Sequence, residues 1–160
     1  TDRSRGLGEV YKRHDSLFRK NHIVDCEALV LPGGSKGAET MYKNSVIRMV
    51  ISNYASDGIL IAAICAAPMV LGAAGVLKDK HATVYPGLEQ YLEGATVHRE
   101  ALVIEHDNLI TAAGPAATRL FAFAIARRLV DNAAVVDQVE HDMLFAGFDS
   151  SVNQVLKFKG

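Results

Sequence analysis

"ILIAAICAAPMVLGAAGVL", residues 59–77, decides the fold. From Ile59 to Cys65 the run is apolar without alternation, as a strand covered on both faces should be. From Ala67 to Leu77 it turns to helical character, with Pro68 where the first turn would lie. A buried strand feeding straight into a helix is a β-α unit, and the same order appears upstream. "EALVL" (27–31) reads as a short buried strand stopped by Pro32-Gly33-Gly34. "GAETMYKNSVIRMVISNYASDG" (37–58) then carries Met41, Val46, Met49, Val50 and Tyr54 near helical spacing, which predicts a helix ending at Gly58. Downstream, "ATVYPG" (82–87) reads as a short strand, and "ATVH" with "ALVIEHDNLITAAG" as a hairpin turned at His106-Asp107-Asn108. "PAATRLFAFAIARRLV" (115–130) has the pattern of an amphipathic helix. Two β-α units, a hairpin and a covering helix predict a single-domain α/β sandwich over residues 1–160 with a mostly parallel central sheet.

Composition narrows the function classes. A net charge of −1 and a pI near 6.6 supply no field for nucleic acid or an acidic membrane. No apolar run reaches the roughly 18 residues of a membrane helix, and no signal peptide is visible. The two cysteines, Cys26 and Cys65, both lie in apolar contexts, which argues against a disulfide framework and for a reducing, cytoplasmic setting.

Cys65 has the most suggestive surroundings. Ala63-Ile64-Cys65-Ala66-Ala67 has the form small-x-nucleophile-x-small, the steric pattern of a nucleophile elbow, where small neighbours permit a sharp strand-to-helix turn. A thiol there would face the first turn of the next helix, whose free N–H groups favour thiolate over thiol. The competing reading is a buried residue filling an alanine-sized space, since free cysteine is among the most buried residue types. The pattern alone leaves both open.

"EALVLPGGSKGAETM", "GILIAAICAAPMVLGAAGVLKDKHATVYPG" and "LITAAGPAATRLFAFAIARRLV" occur in an order that resembles the successive signatures of the ThiJ/PfpI superfamily, in the branch of the Parkinson-disease-associated protein deglycase. The resemblance runs from about Ser4 to about Val139. It implies a flavodoxin-like α/β sandwich, a homodimer and no cofactor. It also implies a glyoxalase or deglycase that acts on methylglyoxal or its early adducts with glycated amines and thiols. Oxidative-stress sensing and holdase chaperoning are the alternative roles it brings. By this resemblance Cys65 falls on the nucleophile, and the amides of Gly33, Gly34 and Ala66 fall on the oxyanion-binding loop.

Departures from the family pattern set further expectations. The branch often has a histidine in the setting occupied here by Val84-Tyr85-Pro86, which makes Tyr85 a substrate contact. Where the deglycase has an arginine, this chain has Ala113, leaving Arg5 as the anion contact. The family glutamate that bonds the cysteine lies in a segment preceding the counterpart of Ser4-Arg5-Gly6, so an N-terminally incomplete domain is expected.

Other groups read as structural. The histidines at 14, 22, 81, 98, 106 and 141 show no i, i+4 histidine pair and no Cys-His cluster, which predicts surface residues and no metal site. Gly33 to Gly37 lacks phosphate-loop spacing. Phe121, Phe123 and Ile125 are expected to include core and subunit-contact residues.

Overall fold

The computed structural model describes residues 26–143 and 155–160. Its central element is β2, Leu60–Ile64, flanked by parallel partners on both sides: β1 (Ala28–Leu31) and β6 (Leu109–Ala112). Successive residues of β2 feed opposite layers, because side chains alternate across a strand. Ile61 and Ala63 join a cluster with Leu31, Val50, Ile51 and Leu71, while Leu60 and Ala62 pack with Ile110, Phe121 and Ala124. That double coverage explains the unbroken apolar run in the sequence.

Helices α1 (Ser35–Lys43), α2 (Ser45–Ser56) and α3 (Pro68–Ala73) supply the first layer, and α4 (Thr118–Leu129) supplies the second. The single helix predicted over 37–58 is thus two. Asn44 adopts an extended conformation, and its side chain accepts hydrogen bonds from the Val46 and Ile47 amides at 3.0 and 3.2 Å. A side chain that caps so well competes with continuation of the helix through it. Likewise α3 ends before Leu77, because Gly75 takes φ 74. Within α3, Gly72 is pressed on the chain so closely that a Cβ would lie 1.9 Å from the Tyr91 carbonyl oxygen.

The predicted hairpin forms between β5 (Val103–His106) and β6, antiparallel and turned at Asp107-Asn108. "ATVH" does not join it. Thr96–Val97 is β4, which pairs in parallel with β3 (His81–Ala82) in a separate two-stranded sheet. Helix α5 (Ala133–Asp142), capped by Asn132, strand β7 (Val155–Phe158) and a single 3-10 turn, Glu89–Tyr91, have no counterpart in the sequence reading. Strand β7 runs parallel to β5 and completes a five-stranded sheet of order β1-β2-β6-β5-β7. Of its four pairings, three are parallel. Phe121 and Phe123 are buried, as expected of core residues. No helix among the described residues is long and apolar enough to cross a membrane.

The histidine expectation needs correction. His106 is buried, at 4% exposure, and His81 and His98 are half-buried. Their rings stack on one another and on Phe158, which a search for metal-ligand spacing along the chain does not register.

Candidate active site

Cys65 is the first residue after β2, and its φ of 64° lies in the left-handed region. For a residue with a Cβ, that region costs about 1–2 kcal/mol, so the surroundings must enforce it. They do so through the main chain: the Cys65 N–H donates to the Ala112 carbonyl at 2.8 Å, and the Cys65 carbonyl accepts from the Tyr85 N–H at 3.0 Å. The alanines after it, Ala66 and Ala67, are fully packed, leaving no space for larger side chains. Ala67 donates back to the Ile64 carbonyl at 3.1 Å, closing the turn, and Pro68 starts α3.

The loop after β1 closes over this turn. A Cβ on Gly33 would stand 2.6 Å from the Cys65 Cβ and 3.4 Å from its Sγ, so only glycine lets the two backbones approach. Gly34, at φ 95, then turns the chain into α1, its carbonyl accepting from Ala38 at 2.9 Å. The N–H groups of Gly33, Gly34 and Ala66 donate to no carbonyl among the described residues. Unpaired amides beside a thiol can receive negative charge that develops on a bound carbonyl oxygen.

Tyr85 stands at the same end of the sheet. Its amide is tied to Cys65, its side chain is 48% exposed, and its ring lies beside Gly114, where a Cβ would come within 3.4 Å of Cδ2. Gly114 escaped the sequence reading as a site residue, although the Ala-Ala-Gly-Pro run before α4 marks a close backbone approach. Among the expected residues, the structure therefore brings Cys65, Gly33, Gly34, Ala66 and Tyr85 to one end of the sheet. Arg5 lies outside the described residues. Both cysteines are free thiols, and no described side chain hydrogen-bonds to the Cys65 sulfur. No group of three or more His, Cys, Asp or Glu side chains is placed to hold a metal ion among the described residues.

Comparison with known proteins agrees with this architecture. The chain is 38% identical over 104 residues to Protein dj-1beta of Drosophila melanogaster, an overlap covering 64% of this chain and 56% of that protein. The crystal structure of the same Drosophila protein matches with a TM-score of 0.70 at 36% identity, over 75% of this chain and 64% of that one. A deglycase of Pyrococcus horikoshii is 33% identical over 103 residues, covering 64% of this chain and 61% of the relative. The structure of oxidized DJ-1 from Toxoplasma gondii matches with a TM-score of 0.67 at 26% identity, over 79% of this chain and 67% of that one. The chain spans less than two thirds of the length of these two curated relatives. Its mixed α/β sandwich is the flavodoxin-like fold of these neighbours. The model of the DJ-1/PfpI family matches residues 7–128, and the chain belongs to that family.

Proposed function

We propose that the chain is a cysteine-dependent, cofactor-independent glyoxalase or deglycase that acts on methylglyoxal or its early adducts. The observation that carries this reading is Cys65 itself: a non-glycine residue held at φ 64 on a strand-to-helix turn, with the Gly33 backbone pressed against it. A filler cysteine gives no reason to maintain that conformation. In the proposed reaction the Cys65 thiolate adds to the aldehyde carbon, forming a C–S bond as the carbonyl π pair moves onto oxygen. The Gly33, Gly34 and Ala66 amides receive that oxyanion. A proton then leaves the former aldehyde carbon and returns to the adjacent one, giving a thioester. Water cleaves it, releasing lactate and the thiol, so methylglyoxal plus water balances lactate. Tyr85 is the proposed substrate contact, and Arg5, outside the described residues, is the proposed anion contact. The reading includes a homodimer and a cytoplasmic, reducing setting.

A second reading is a sensor of oxidation or a holdase chaperone, in which Cys65 is converted to sulfenic or sulfinic acid held by the same amides. The oxidized state of the Toxoplasma neighbour supports it. Methylglyoxal consumption with product identification separates the two, comparing the parent with Cys65→Ser after both are shown to be folded. Lactate from the parent alone establishes the catalytic nucleophile. Lactate from neither removes the glyoxalase reading, and peroxide-dependent mass gain at Cys65 then supports the sensor.

A further inference from the structure

At the opposite end of β6 from Cys65, three histidines from three parts of the chain meet the last strand. Phe158 of β7 lies flat on His81, with ring centroids 3.7 Å apart and planes 10° apart. The same phenyl ring is 5.2 Å from His98 and 6.1 Å from His106. Strand β7 is therefore anchored on imidazoles.

The hydrogen bonds fix where the protons sit. His106 Nδ1 accepts the backbone N–H of His81 at 2.9 Å, so that nitrogen carries no proton, and the ring's hydrogen is on Nε2. Among the described residues that buried Nε2 has no hydrogen-bond partner, and Asp107 Oδ2 lies 3.6 Å away. A second proton on His106 would go to Nδ1 and point N–H against N–H, pushing away the residue whose ring supports Phe158. The charged and titratable groups around it are Lys80, Asp107, which pairs with Lys80, and the His81 ring; on β7's side Lys157 pairs with the buried Glu105 at 3.1 Å. His81 Nδ1 and His98 Nε2 face each other at 2.7 Å, leaving room for a single hydrogen between them, and His98 Nδ1 meets Glu100 at 3.0 Å. His106 is the ring whose Nδ1 already accepts a backbone N–H and whose Nε2 is buried without a partner among the described residues, so the trigger is His106.

We propose that His81, His98 and His106 form a proton-operated clasp that holds β7 against β5 while His106 is neutral and releases it once His106 is protonated. Burial first, then the charge of Lys80, hold the His106 imidazole below its ordinary range, with Asp107 opposing them. The docked state thus disfavours the proton. Its stability is complete above the ordinary histidine value of about 6.5 and declines as pH falls from there toward the lowered docked-state value.

The test is two-dimensional amide and imidazole NMR on the full chain from pH 7.5 to 5. The Val155–Phe158 amides should move to unstructured shifts with the same midpoint as the His106 ring, below about pH 6.5, while β2 and β6 keep theirs. His106→Asn keeps an acceptor for the His81 N–H but cannot titrate, so β7 should stay docked down to about pH 5. The clasp is overturned if β7 of the parent stays docked at pH 5, if β2 and β6 melt with it, or if His106→Asn releases β7 at the parent's midpoint. Should that variant not fold, the parent decides: coincident ring and strand midpoints support the clasp, and separate midpoints refute it.

Discussion

At the carboxyl end of β2 the geometry is set by main chain. Cys65 is held by two backbone hydrogen bonds, at 2.8 and 3.0 Å, and by a glycine that presses on it. Around the Asp107-Asn108 turn, at the other end of β6, the geometry is set by side chains: stacked rings, a Lys80–Asp107 pair and a bond into an imidazole nitrogen. The difference teaches which perturbations each end can feel. The amides and the glycine that hold Cys65 do not titrate in the physiological range, so the geometry of the cysteine end responds to shape, whereas the geometry of the histidine end is built from groups that can take up protons. One segment touches both. The His81 N–H bonds to His106, the Thr83 N–H to Thr111 Oγ1 at 3.0 Å, and the Tyr85 N–H to the Cys65 carbonyl.

The sharpest way to break the comparison is Gly33→Ala. Its Cβ would meet the Cys65 Cβ at 2.6 Å and the Ile64 carbonyl at 3.1 Å, neither of which is the far end of a flexible side chain. A loss of about 2–3 kcal/mol in urea unfolding is expected, together with a large change in the rate of Cys65 alkylation. The β7 amide shifts should not move. If they do, the two ends are not separate.

Thr111→Val tests the link between them. Thr111 is buried, and valine would leave the buried Thr83 N–H without its acceptor, a cost of about 1–3 kcal/mol by chemical denaturation. Because the Thr83 segment continues to Tyr85 and back to His81, both Cys65 alkylation and β7 docking should loosen in this variant. An effect confined to one end would show that the segment does not couple them.

The smallest expected effect is that of Asp107→Asn. Asparagine tolerates the left-handed φ of 51° and still accepts the Gly160 N–H, so overall stability should be nearly unchanged. Removing the carboxylate takes away the group that favours a charged His106. The pH at which β7 is released should fall, read by the same amide shifts, with no change in Cys65 reactivity.

How much of this was legible follows the same division. The cysteine end is written in contiguous residues: an apolar run, a cysteine between small residues, Pro-Gly-Gly after the neighbouring strand. Local steric rules read such stretches directly. The histidine end is dispersed over His81, His98, His106 and Phe158, and its contacts come from strand pairing between distant segments. No periodicity brings those residues together in one dimension. Strand β7 escaped for the same reason: it has four residues, none fully buried, and its partner β5 lies far back in the chain. The break at Asn44 was hidden by apolar spacing that passes smoothly from α1 to α2, while the deciding contact is a polar side chain on two amides.

The antiparallel joint between β5 and β6 has one more consequence. It reverses β5 and β7 relative to β1, β2 and β6, so the sheet has two carboxyl-terminal rims, one carrying Cys65 and the other His106 and Phe158. An all-parallel sheet would gather its strand-ending loops on one side and crowd every new feature around Cys65. Here loop insertions after β5 can elaborate the second rim at a distance from the thiol, giving the fold two surfaces linked by the His81–Tyr85 segment.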